Sequence, residues 1–220
     1  MIRLHHVPQT RSMRVLWLLH ELGVPFEVRV WPFDRTMRGP DYLALNPVGR
    51  TPALELDGRR LWESGAILEL LSERFPERGL GRPPGDEERA DWLIWLHFAE
   101  TVSQHTATLT QHHVMLREDW MRSPTVMRLE AARLGKCYDA VEARLAGEWL
   151  LAGGFSAADV AVGQAVYMAR HFAAPGDRPR LTAWWDRCAA RPAFRRSLPG
   201  GDEPRLYARD FYEPPEANRG

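Results

Sequence analysis

Thr10 and Ser12 lie two residues apart where a short apolar run, 2–7, gives way to a helical pattern, in the string Thr10-Arg11-Ser12-Met13-Arg14. Two hydroxyls at the head of a helix, together with the unpaired amides of its first turn, can converge on a bound anion. Ser12 reads equally well as a plain N-cap of that helix. Glu63-Ser64 marks a second strand-to-helix junction. There Ser64 can offer its hydroxyl and orphan N–H groups to a carboxylate, and Glu63 can pair with an adjacent ammonium. An ordinary cap beside a solvated glutamate is the other reading. His97, His105, His112 and His113 cluster, and His105 and His112 are seven apart on one helix face. No HxxxH or HExxH spacing occurs, so pocket lining or packing is expected of them, and no metal.

The elements that would position these groups change character along the chain. Residues 2–7 read as a strand, 12–23 as a helix stopped by Gly23 and Pro25, and 26–31 as a half-buried strand with Phe26, Val28 and Val30 on one face. That is a βαβ unit. A turn-rich loop and a short helical piece follow, then two strands around Asp57-Gly58, a strong hairpin signal, and a helix from 64 to 75. Residues 76–86 hold three prolines and three glycines and read as a linker. Beyond it only helical periodicity remains, over 87–121, 123–145, 156–172 and 179–191. Trp92, Trp95 and Phe98 form an aromatic stripe suited to a core, and Ser156 with Asp159 is spaced as a capping box. The stretch from 199 onward, rich in Pro, Gly and charge, is expected to wrap the surface or fray. The expected fold is thus an α/β domain at 1–78, a linker at 79–86 and an all-helical domain at 87–220.

Composition removes several classes of function. Of 220 residues 45% are hydrophobic, enough for one large core or two small ones, so global disorder is excluded. Twenty-nine basic residues balance 29 acidic ones, which leaves no summed positive field for a nucleic acid. No apolar run approaches the ~20 residues that span a bilayer, and residues 1–14 lack the apolar stretch of a secretory signal, so a cytoplasmic protein without membrane partners is expected. The two cysteines, Cys137 and Cys188, form neither a CxxC nor a zinc spacing. Lys136 is the single lysine, which removes Schiff-base chemistry elsewhere.

Three strings, Asn46-Pro47-Val48-Gly49-Arg50-Thr51-Pro52, then Asp57-Gly58, then Leu61-Trp62-Glu63-Ser64-Gly65-Ala66-Ile67, occur in this order within an α/β half that precedes an all-helical half. With Phe155-Ser156-Ala157-Ala158-Asp159 and Pro192-Ala193-Phe194 they resemble a cytosolic glutathione transferase, over nearly the whole chain up to about residue 198. The resemblance implies a thioredoxin-like N-terminal domain, an all-α C-terminal domain, glutathione as co-substrate and a small electrophile bound between the domains. It implies a homodimer, the first domain of one copy against the helical domain of the other.

Carried onto this sequence, the resemblance makes Thr51-Pro52 the cis-proline turn whose Thr51 backbone holds the cysteinyl part of glutathione, with Glu63 and Ser64 at its γ-glutamyl end. Pro52 could also simply start an edge strand. Arg50 is a candidate for the glycine carboxylate, or else an exposed arginine. Where relatives with a serine place it, four residues before the helix-opening arginine, this chain has Thr10. Thr10 is therefore the expected thiolate donor, Ser12 the runner-up, and the extra methyl of threonine bears on rate. No tyrosine occurs in the first 40 residues and no cysteine in the first 130, which excludes tyrosine-type and cysteine-type sites. Pro8, His105 and His112 are expected at the electrophile pocket. Peroxidase, dehalogenase or isomerase chemistry at the same site, or a glutathione-fold protein that only binds, are the alternatives.

Overall fold

The computed structural model describes residues 1–201, 203 and 205–215. A four-stranded mixed sheet forms from β1 (Ile2–His6), β2 (Glu27–Val30), β3 (Ala53–Leu56) and β4 (Arg59–Trp62) in the order β2-β1-β3-β4. β1 and β2 are parallel, so a crossover must join them, and α1 (Ser12–Leu22) supplies it. Gly23 ends α1 in the left-handed conformation at φ 62°. β3 and β4 are antiparallel, and Asp57 and Gly58 turn between them at φ 50° and 81°. Positive φ at both central residues is what the tight hairpin demands. α2 (Pro40–Leu43) and α3 (Ser64–Arg74) complete this thioredoxin-like domain.

β2 departs from the expected half-buried strand. All four of its residues are exposed, Val28 and Val30 at 40% and 46%. It is the sheet edge, and burial passes instead to Trp31, whose N–H donates to the His6 carbonyl and whose indole N–H donates to His5 Nδ1. Trp31 packs with Val7, Met37 and Tyr42 in a small separate core.

The helical domain comprises α4 (Arg89–Thr110), α5 (Pro124–Arg144), α6 (Ala157–Ala169), α7 (Pro179–Ala190) and α8 (Pro192–Ser197). α4 stops eleven residues before the expected 121, passing into a wide turn over Gln111–Met115. Thr106, Thr108 and Thr110 each turn their hydroxyl back onto the carbonyl four residues earlier, which competes with the helix ladder and loosens its end. α6 begins with the expected capping box of Ser156 and Asp159, and Asp159 also accepts from the Leu150 N–H and the Trp184 indole.

One continuous core unites the two domains. α1 is buried on nearly every side because it lies between the sheet and the helices α3, α6 and α8. The helices approach tightly at Gly163, where an added Cβ would lie 2.9 Å from two ring carbons of Trp17. Glu21 accepts from the Trp17 indole at 2.8 Å and from Arg191 at 2.6 and 2.7 Å, fastening α1 to the start of α8.

The last described segment does more than wrap the surface. Tyr207 and Tyr212 are 4% and 7% exposed and pack around Phe172. The Tyr207 N–H donates to Gln9 Oε1 at 3.0 Å, and its hydroxyl lies 2.8 Å from Thr110 Oγ1. Residues 205–212 therefore form a strap tied to the loop that follows β1.

Candidate active site

A cleft of about 220 Å³ opens beside the heads of α1 and α3. Arg50, Thr51, Pro52, Glu63 and Ser64, from two separate segments, all line it, joined by Arg11, Asn46 and Val48. Asn46 builds one wall: it is buried, its carbonyl oxygen accepts from the Val48 N–H, and its amide donates to the Arg50 and Pro52 carbonyls. Tyr42 donates a further bond to the Arg50 carbonyl. These bonds hold the backbone of 46–52 against the cleft and leave the Arg50 side chain exposed. The Thr51–Pro52 peptide bond is cis.

The opposite wall is the start of α3. Glu63 sits at φ 70° and ψ 107°, a conformation that stores of order 1–3 kcal/mol for a non-glycine residue. Its side chain is exposed on the cleft and makes no capping bond. Ser64 is buried, accepts from Arg14 at 3.2 Å and donates to Glu100 at 3.4 Å. It is therefore no simple cap: it belongs to a network that crosses the domain boundary.

Arg14 is the hub of that network. Wholly buried, it donates to Gln164 on α6, Ser103 and Glu100 on α4, and Ser64 on α3. A buried guanidinium is tolerable only when its donors are matched in this way. Glu100 also lies 3.4 Å from Arg11. Burial alone would raise its carboxyl, but the charges of Arg14 and Arg11 and the hydrogen bonds from Arg14 and Ser64 outweigh that and hold it below its ordinary value. The cleft thus presents cationic and anionic side chains close together, which suits a zwitterionic ligand end.

Thr10 and Ser12 differ sharply. Thr10 is half-buried, and Thr51 donates to its Oγ1 at 2.9 Å, which places it next to the cleft. Ser12 is wholly buried, and its hydroxyl meets the Val7 backbone, His6 Nδ1 and, at 2.9 Å, Thr10 Oγ1. Ser12 is not among the residues that line the cleft. Nor is it the N-cap of α1, since Arg11 holds that position and Ser12 closes the helix head back onto β1.

The expected electrophile residues do not come together. His105 Nδ1 pairs with Glu130 on α5 at 2.6 Å, and His112 Nδ1 accepts from the Ser123 N–H, so both turn toward α5 and away from the cleft. Pro8 is buried and is not among the residues that line the cleft. Next to Thr10, Gln9 meets Tyr167, whose hydroxyl lies 3.4 Å from the Gln9 amide, and accepts from the N–H of Tyr207 of the strap, while Gln164 donates to the Thr10 carbonyl at 3.2 Å. Sequence reasoning missed Arg11, Arg14 and Glu100. Arg14 left a trace, as a charge inside the apolar stretch from Met13 to Leu19, whereas Glu100 left none.

A four-stranded mixed sheet bearing a polar cleft at two helix heads, backed by an all-helical domain, defines a two-domain protein of thioredoxin-like type. Residues 10–74 match the family of glutathione S-transferase N-terminal domains, and residues 123–192 that of glutathione S-transferase C-terminal domains. The chain is 32% identical over 209 residues to Glutathione S-transferase 3 of Zea mays, covering 90% of this chain and 93% of that protein. It is 33% identical over 166 residues to the maleylacetoacetate isomerase of Pseudomonas aeruginosa, covering 74% and 77%. The solved structure of a glutathione transferase from Methylococcus capsulatus superposes with a TM-score of 0.76 at 30% identity, over 90% of this chain and 97% of the other. The chain belongs to the glutathione S-transferase family.

Proposed function

We infer that the protein is a glutathione S-transferase that binds glutathione in the cleft, ionises its thiol and adds the sulfur to a small electrophile. The observation that carries this reading is the convergence of Arg50, Thr51, Pro52, Glu63 and Ser64 on one cleft, with the Thr10 hydroxyl bonded to Thr51 at its edge. In this reading Ser64 and the amides behind it take the γ-glutamyl carboxylate, Glu63 takes the ammonium, and Thr51 pairs with the cysteinyl backbone as a strand would. Arg50, exposed and free to swing, takes the glycine carboxylate. Thr10 donates to the thiolate, making this a Ser/Thr-type site, and lowers the thiol pKa by favouring the anion.

The electrophile then meets the sulfur beside Gln9, Tyr167 and Tyr207, in place of the histidines. A homodimer is supported by exposed apolar residues on both faces such an assembly would join: Trp62 and Leu70 on the sheet domain, Ile94 and Leu129 on the helical one. A cytoplasmic detoxifying role completes the reading. The likeness to the isomerase favours a second outcome at the same site, in which the sulfur adds to an activated double bond and leaves again.

Calorimetric titration with glutathione, then turnover of a chloronitrobenzene and of an organic hydroperoxide, tests the assignment. Micromolar-to-millimolar binding with conjugate formation is expected. Tight binding without turnover of any electrophile would reduce the protein to a binding module.

A further inference from the structure

The hydroxyls around Thr10 form a closed circuit with fewer protons than acceptors. Thr51 donates to Thr10 Oγ1 at 2.9 Å, and the Ser12 N–H reaches the same oxygen at 3.3 Å. Both acceptor positions of Thr10 are then filled, so its remaining capacity is its single proton. That proton rests on the Val7 carbonyl at 2.7 Å, the nearer of two acceptors within its reach, the Ser12 oxygen lying 2.9 Å away. The Ser12 hydroxyl lies within reach of the same carbonyl at 3.0 Å and of His6 Nδ1 at 2.8 Å, while accepting from the Val7 N–H at 3.1 Å. Ser12 thus has two acceptors for one proton, and Val7 has two donors for one carbonyl.

We propose that Thr10 is a two-position donor whose proton sits on the Val7 carbonyl in the empty site and turns to the glutathione sulfur once a thiolate is bound. Ser12 takes Thr10's place on Val7, and Thr51 holds the Thr10 oxygen, so both are positioning residues. The proposal rests on the assignment of Thr10 as thiolate donor. The thiol proton itself leaves to water; the circuit redirects hydrogen bonds and exchanges the single His6 ring proton from Nε2 to Nδ1, with no net proton gained or lost.

Each part of the exchange has a physical reason. If Thr10 turned away with no substitute, the buried Val7 carbonyl would lose its strongest donor, a penalty that would oppose ionisation. Ser12 removes that penalty by moving its proton from His6 to Val7. His6 can follow because a neutral imidazole presents either a lone pair or an N–H at Nδ1, accepting from Ser12 in one state and donating to it in the other. Burial supports this by holding His6 neutral, its pKa pushed down to about 4. The Thr51 hydroxyl couples the circuit to the ligand, because the same residue lines the cleft.

The readout is the pKa of the enzyme-bound glutathione thiol, followed by thiolate absorbance across pH, beside the Kd of S-methylglutathione, which carries no thiol to ionise. Thr10→Val should cut the thiolate fraction at neutral pH about 10- to 150-fold. Ser12→Ala and Thr51→Val should each cut it about 3- to 10-fold, and Ser12→Ala should keep S-methylglutathione affinity within about twofold of wild type. Thr51→Ser should restore it. Added to Thr10→Val, Ser12→Ala and Thr51→Val should have no further effect, since they act through Thr10.

If Ser12→Ala and Thr51→Val leave the thiol pKa unmoved while Thr10→Val raises it, or lower the thiolate fraction equally in both backgrounds, the circuit is overturned and Thr10 keeps its role. If Thr10→Val itself leaves the pKa unmoved, both the donor assignment and the circuit fail. Thr51 is half-buried at the cleft edge, so Thr51→Val decides the matter even where Ser12→Ala perturbs folding.

Discussion

Gly163→Ala adds one methyl group where α6 of the helical domain packs against α1 of the sheet domain. Its Cβ would stand 2.9 Å from two ring carbons of Trp17 and 3.6 Å from Cys188 Sγ. Carbon pairs settle at about 3.5–4.0 Å, so the overlap is of the order of an ångström. The indole cannot easily retreat. Its N–H is held by Glu21, its edge meets Phe194 at a centroid distance of 4.9 Å, and Phe155 lies beyond at 6.3 Å. Overpacking of this kind costs about 1–3 kcal/mol, against about 1 kcal/mol that alanine returns over glycine inside a helix. When the neighbour is pinned the upper part of the range applies, leaving a net loss of about 1–2 kcal/mol. For a chain of this size that lowers Tm by roughly 2–8 °C. Thermal unfolding of wild type, Gly163→Ala, Trp17→Phe and the double variant measures it. The smaller ring should relieve the clash, so the double variant should be more stable than the sum of the single effects allows. A Gly163→Ala protein that melts at or above the wild-type temperature would refute the reasoning.

Ser64→Ala should weaken glutathione by about 1–3 kcal/mol, or about 5- to 150-fold in Kd, because the γ-glutamyl carboxylate loses a bond from a buried hydroxyl; calorimetry that finds unchanged affinity removes Ser64 from the ligand. His6, unfolded near 6.5 and folded near 4, makes the native state favour the neutral ring. Its contribution is present above pH 6.5 and is lost as pH falls through 4, about 3 kcal/mol in all, and denaturant melts of His6→Asn should show a flatter profile over that window. Gln9→Ala strands the buried Tyr207 N–H and should loosen the strap by about 1–3 kcal/mol, speeding tryptic cleavage at Arg205 and Arg209 roughly 5- to 150-fold; equal cleavage rates in the two proteins would show that the bond does not hold the strap.

What the sequence revealed depended on whether the signal was local. The hairpin at Asp57-Gly58, the stop at Gly23 and the capping box of α6 are each set by residues a few positions apart, and each stands where the pattern placed it. β2 was misread because alternation reports which residues could be buried, while burial at a sheet edge depends on what covers it. The end of α4 was misread because threonine hydroxyls that rebond to the backbone leave the apolar period intact. Within the site, the two strings 50–52 and 63–64 meet in one cleft as their motifs implied. The histidines did not, since seven-residue spacing names a helix face without saying which neighbour that face meets. The network of Arg14 and Glu100 was unreadable for a related reason: Gln164 and Glu100 lie 150 and 86 positions from Arg14, on α6 and α4.

The bond between the Tyr207 N–H and Gln9 joins groups 198 positions apart. On the ribosome, the loop carrying Thr10 is made and then waits, with Gln9 lacking this partner, until a further 198 residues have been added. At roughly 5–20 residues per second that interval is of the order of ten seconds or more. During it the sheet domain can fold and its cleft can take shape, yet the wall beside the reacting sulfur is missing. Nascent chains stalled short of residue 205 would therefore be expected to recognise glutathione before they discriminate among electrophiles, so that the two halves of the catalytic task mature in sequence as the chain emerges.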